Sequence, residues 1–207
     1  MESSDIVVES TPSVDYWYFA PNQTRPGYDD VRVRQAIAYG IDRDAIVQAA
    51  KFGNATVNQT AIPATSAWYM EYAPYTRDLD KAKALLEEAG VGEFPIDLMV
   101  VSSEAQAVTA AQVIAANLAD IGITVNIRQL DVGTWLDEQA TGNFDVFLWA
   151  WIGNLDPSDF YYAQHHSAGG FNAQSYSNPE VDELLDQAGA ETDQDARKAL
   201  YDQAAMK

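Results

Sequence analysis

Thirty-one acidic side chains among 207 residues invite a search for paired carboxylates, the arrangement that performs acid–base hydrolysis. Three close pairs stand out: Asp29 with Asp30, Asp42 with Asp44, and Asp156 with Asp159. Each sits where a helix is predicted to start. Acids belong there, because they accept orphan N–H groups and face the positive end of the helix dipole. With so many acids, close neighbours also arise by chance. The two histidines, His165 and His166, are adjacent, so on a helix they point in different directions and make a poor metal pair. The absence of cysteine excludes disulfides, thiolate metal sites and cysteine nucleophiles. No P-loop, G-x-G-x-x-G or nucleophile elbow occurs. Enzymatic activity, a bound metal and a cofactor are therefore not expected. Recognition chemistry is more visible. Trp149 and Trp151 alternate with Leu148 and Ala150, so both indoles share one face of a strand. Asn154 and Asp156 follow at its end. Asp156 precedes Pro157, where it can cap a helix or meet a ligand.

The elements that position these residues are legible from periodicity and punctuation. Residues 14–20, VDYWYFA, read as a strand closed by Pro21. Asp29 or Asp30 caps a helix to about Tyr39, with Val33, Ile37 and Gly40 on one side. Asp42 opens a second helix, with Ala45, Ile46 and Ala49 predicted inward. Residues 54–77 show no period and contain Pro63 and Pro74, so they read as a long loop. Asp78 caps a helix that Gly90 ends. A strand at 95–101, a helix at 104–121 stopped by Gly122, and an alternating strand from Ile123 to Ile127 follow. A helix from about Val132 to Thr141 precedes the apolar run 144–151, a central strand covered on both faces. Asn178 with Pro179, and then Asp193, open two final helices. The order β-α-α-loop-α-β-α-β-α-β-α-α belongs to an α/β domain with helices on a mixed sheet.

Apolar residues make up 47% of the chain, enough for a core, and no run approaches the length of a membrane span. The net charge of −19 is spread along the chain. It excludes nucleic acid and anionic lipid as partners, since both need a basic footprint. Such a coat fits a high-salt environment, where ions screen the self-repulsion. The opening MESSDIVVES has no basic stretch and no long apolar stretch, so no secretory leader is read there.

Five collinear segments together resemble the family 5 solute-binding proteins of ABC importers, the dipeptide, oligopeptide and nickel binders. They are DDVRVRQAIAYGIDRDAIV at 29–47, DLDKAKALLEEAG at 78–90, LADIGITVNIRQLD at 118–131, GNFDVFLWAWIGNLDP at 142–157 and SYSNPEVDELLDQA at 175–188. Helix-Gly-strand steps are common singly, but five in register are specific. The resemblance implies a type II periplasmic-binding-protein-like lobe over residues 1–207. It is the C-terminal lobe of a longer two-lobed protein that closes on its ligand. The N-terminal lobe and a closing tail would lie outside this chain, and the lack of a leader would reflect that excision. It further implies an extracytoplasmic location, a lipid anchor on the complete protein, a small solute as ligand and an ABC permease as partner. A ligand-sensing module of a regulator, reusing the same lobe, is the alternative. Cut sheet edges would favour self-association of an isolated lobe.

Ligands of open α/β sheets sit beyond the carboxyl ends of central strands, which puts the candidate site at Trp151 and Asn154. Trp149 and Trp151 can each serve the cleft or the core. Relatives place the loop after Gly169-Gly170 near the cleft, which adds Phe171 and Asn172. Peptide-binding relatives commonly carry an Asp at the position of Asn154, pairing with the ligand ammonium. They can also carry arginines at the positions of Gln139 and Leu148. Here all three charges are lacking. The resemblance thus implies an importer lobe while weakening a free peptide as its solute, in favour of a sugar or another neutral compound.

Overall fold

Val146–Trp151 is the strand around which the sheet is built. The computed structural model describes residues 7, 9, 11–92 and 94–207. Among these residues four strands form one sheet: β1 (Tyr16–Pro21), β2 (Phe94–Val101), β3 (Ile123–Leu130) and β4 (Val146–Trp151), in the order β1-β4-β2-β3. β4 and β2 run parallel with Leu98 opposite Val146, and β2 and β3 run parallel. β1 closes the far edge antiparallel to β4, with Tyr16 opposite Trp151 and Tyr18 opposite Trp149. The carboxyl ends of β2, β3 and β4 therefore share one edge of the sheet. Pro21 is tolerated in β1 because an edge strand can spare a donor.

Among the described residues eight helices accompany the sheet: α1 (Val31–Gly40), α2 (Arg43–Lys51), α3 (Leu79–Glu88), α4 (Ala105–Ala119), α5 (Val132–Ala140), α6 (Tyr161–His165), α7 (Pro179–Ala190) and α8 (Gln194–Ala205). Local chemistry sets most of their starts. Asp30, Asp42, Asp78, Asp131, Asn178 and Asp193 each accept a backbone N–H from the first turn of the helix that follows. Gly90 and Gly122 adopt left-handed backbone at φ +69° and +85°, where a Cβ would be strained.

One face of the sheet, with Ile96, Leu98, Val100, Val146 and Leu148, packs against α1, α3 and α4 through Val33, Ile37, Leu86, Ile114 and Leu118. The opposite face, with Met99, Val101 and Phe147, packs under Trp135 of α5 and Phe144. A third cluster joins Phe160, Tyr161, Val181, Leu185 and Tyr201, docking α6, α7 and α8 beyond the carboxyl edge. β4 is buried through Leu148 and half-buried from Trp149 to Trp151. Double cover thus holds for its first half only, because α5 ends its reach at Trp149.

Two expectations shift. The inward residues of α2 are Ile46 and Ala50, four apart and facing α4, while Ala49 is exposed. A one-residue displacement is a 100° rotation on a helix. The helix start expected near Pro157, with Asp156 as cap, is a single 3-10 turn at Pro157–Asp159, and the short helix α6 follows it; five residues leave no period, so the expected element order carries no separate helix there.

Candidate ligand-binding edge

Beyond Trp151 the chain leaves the sheet over Phe160. A Cβ at Gly153 would lie 2.0 Å from the Phe160 ring and 3.1 Å from the Val14 carbonyl oxygen, so only glycine lets the chain turn this closely. The turn closes when the Asn154 N–H donates to Asp159 Oδ2 at 3.2 Å. Phe160 is buried and stacks on Tyr16 at 5.9 Å, which pins α6 to the first strand. The chain then returns. The Phe171 N–H donates to the Ala163 carbonyl at 2.9 Å and brings the ring edge-on to Trp151, with centroids 5.0 Å apart. Asn154, Asp156, Asp159, Tyr162, Gly170 and Phe171 thereby line one open concavity beside the end of β4.

The predicted residues take distinct places around it. Asn154 and Phe171 line it directly, and Phe171 is 61% exposed. Trp151 is half-buried and forms the wall behind Phe171. Trp149 lies one layer back, tilted against Trp135 at 4.9 Å and packed on the second core face. Asn172 builds the loop: its Nδ2 donates to the carbonyls of His166 and Tyr176, and its Oδ1 accepts the Tyr176 N–H. Asp156 borders the concavity, but its carboxylate accepts the Ser158 N–H and a two-pronged grip from Arg197 at 2.9 and 3.0 Å. That guanidinium holds the Asp156 carboxyl down at about 2. Leu148 is buried in the core on the α4 face and takes no part in the concavity.

His165 is half-buried, and its desolvation among packed side chains lowers it to about 4, so it is neutral here. His166 stacks on Tyr162 at 4.2 Å and accepts the Ala168 N–H through Nδ1. Both histidines organise the loop. Among the described residues no group of three His, Cys, Asp or Glu side chains could hold a metal ion.

Sequence reasoning passed over Asp159. It counted as a helix-start acid, and its approach to the Asn154 amide depends on a three-residue 3-10 turn that leaves no periodic signal. Three strongly exposed apolar side chains, Ile152, Leu155 and Phe171, also fall in this short region. Such a concentration marks a surface that meets something else.

The family model described as bacterial extracellular solute-binding proteins, family 5, middle region, matches residues 2–173. The chain belongs to this family. Family 5 proteins are extracellular solute-binding proteins. The dipeptide-binding protein of Escherichia coli K12 is 30% identical over 98% of this chain and 40% of its own length. The glutathione-binding protein of Pectobacterium atrosepticum is 29% identical over 99% and 42%. The chain thus spans about two fifths of the length of the curated relatives it matches. A Pseudoalteromonas dipeptide-binding protein, solved in complex with Met-Leu, superposes with a TM-score of 0.86 at 31% identity, covering 99% of this chain and 42% of that one. A periplasmic binding protein of Helicobacter pylori, solved with the peptide STSA, gives 0.89 at 27%, covering 94% and 39%. The α/β lobe with its four-stranded mixed sheet is therefore the lobe of these family 5 structures.

Proposed function

We propose that this chain is the C-terminal lobe of the solute-binding component of an ABC importer. It captures a peptide or another small solute in a cleft between lobes and passes it to a membrane permease. The observation that carries this reading is a coincidence of place. The concavity lies at the carboxyl end of central strand β4, where open α/β sheets hold ligands, in a lobe whose 31%-identical counterpart was solved with a dipeptide. The complete protein works outside the cytoplasmic membrane and carries a lipid anchor. Its charge of −19 suits a salt-rich medium, in which screening relieves self-repulsion. Taken alone, the lobe self-associates through its outer strands β1 and β3.

Mild purification of the complete protein followed by native mass spectrometry tests the reading. The expected result is a retained small solute whose addition raises the melting temperature. A protein that retains no solute and is stabilised by no peptide, glutathione or sugar overturns it.

A further inference from the structure

Three N-x-T tripeptides occur in the chain, at Asn22-Gln23-Thr24, Asn54-Ala55-Thr56 and Asn58-Gln59-Thr60. Each has the form that accepts an N-linked glycan on a protein carried outside the cytoplasm. The fold treats them differently. Asn22 is 2% exposed, and its Nδ2 donates to the Gly142 and Phe144 carbonyls ahead of β4. Asn58 is half-buried, and its Nδ2 donates to the Thr60 and Ile62 carbonyls at 2.7 and 3.1 Å. A sugar on either nitrogen would break bonds that the fold uses and push into packed chain. Asn54, Ala55 and Thr56 are all exposed and lie outside helix and strand. The Asn54 Nδ2 makes longer contacts, 3.3 and 3.2 Å to the Lys51 and Phe52 carbonyls, and a substituted amide keeps one N–H for them.

Phe52 is a second, independent sign. It ends α2 with left-handed backbone at φ 53°, and its ring is 77% exposed. It stands two residues before Asn54, whose amide lies against its carbonyl. A sugar on that amide would begin beside the aromatic ring. The C–H face of a sugar is apolar, so stacking it on the ring takes both surfaces from water.

We propose that Asn54 is an N-glycosylation acceptor and that Phe52 seats the first sugar. The assignment rests on the extracytoplasmic placement in the importer reading. The donor is an oligosaccharide held by phosphate on a membrane lipid. Asn54 Nδ2 bonds to its anomeric carbon, the anomeric C–O bond breaks, the lipid phosphate leaves with that oxygen, and the amide gives up one proton.

The complete protein, recovered from its native cells after fractionation, tests this by peptide mass spectrometry. Cleavage after Lys51 and Arg77 releases one peptide with both Asn54 and Asn58, and electron-transfer fragmentation tells them apart. Sugar mass is expected on Asn54, with Asn22 and Asn58 bare. Thr56→Val should abolish it and Thr56→Ser should retain it, since neither variant touches the acceptor amide. The seat has its own readout. The Gly53 and Asn54 N–H groups donate to the Val47 and Lys51 carbonyls. Their exchange should be about threefold slower in the glycosylated protein than in Thr56→Val, and Phe52→Ala should keep the glycan and lose that difference. Bare Asn54 on exported protein overturns the assignment, as does sugar on Asn22 or Asn58, or sugar that survives Thr56→Val. Exchange indifferent to the glycan overturns the seat. Bare Asn54 on protein confined to the cytoplasm is distinguishable, because it refutes the importer reading as well.

Discussion

Replacing Gly169 with alanine is expected to destabilise the protein by about 3–5 kcal/mol, while the same change at neighbouring Gly170 stays within about 0.5 kcal/mol of neutral. The contrast follows from what a methyl group would meet. At Gly169 it would lie 2.4 Å from the Tyr162 carbonyl oxygen, 2.6 Å from that of Ala163 and 2.9 Å from that of His166. These are backbone atoms at the end of α6, and they cannot rotate away. Relief requires lifting the loop, which breaks the Gly169 N–H bond to His166 and the Phe171 N–H bond to Ala163. Each such bond contributes about 1 kcal/mol, and forced overpacking adds about 1–3 kcal/mol. At Gly170 nothing lies within 4 Å of the added carbon, and its backbone is not left-handed. Urea unfolding of the two variants measures the difference. Similar losses in both would mean that the loop carrying Phe171 is not seated on α6 as described.

The second large effect belongs to Arg197, which ties the candidate edge to the last two helices. Its guanidinium grips Asp156, donates to the Ala188 carbonyl near the end of α7 and lies over the Trp68 and Tyr201 rings at 5.2 and 5.5 Å. Arg197→Ala is expected to cost about 2–4 kcal/mol at neutral pH, combining charged hydrogen bonds with lost cation–π packing. Arg197→Lys recovers only part of this, since a point charge cannot form the planar fork. The effect has a pH signature. The Asp156 carboxyl is lowered from 3.8 to about 2 in the folded protein. A depressed folded value means that the linked stability is complete above about pH 4 and is lost as pH falls toward 2. The Asp156 side chain is 53% exposed, so solvent screening reduces this share to roughly 1 kcal/mol. The gap between wild type and Arg197→Ala should therefore narrow between pH 4 and pH 2. A gap that stays constant across that range would show that the ion pair does not couple the edge to α8.

The sequence disclosed those parts of the fold that are governed by contacts a few residues long. Asp42, Asp78, Asn178 and Asp193 are readable as caps, and Asp30 as one of two neighbouring candidates, because cap chemistry is complete within one turn. Gly90 and Gly122 are readable as helix stops for the same reason. The site was less legible because its contacts are long-range. Trp149 and Trp151 share a strand face by periodicity, but Trp135, on α5, packs against Trp149 in the core while Trp151 lies behind Phe171. Asp156 could be seen as a cap, yet its Arg197 partner lies 41 residues away. Asp159 could not be told from any other helix-start acid, because its place at the Asn154 amide arises from a turn with no repeat. The resemblance supplied the family, and the geometry supplied the long-range contacts around the end of β4.

The central claim is that solute is held at the carboxyl edge of β4, and backbone hydrogen exchange of the complete protein with and without saturating Met-Leu tests it most directly. Slower exchange is predicted at residues 151–163 and 169–172, with α1 and α3, on the far face of the sheet, unchanged. Saturation accompanied by protection in α1 or α3 and none between 151 and 172 would contradict it.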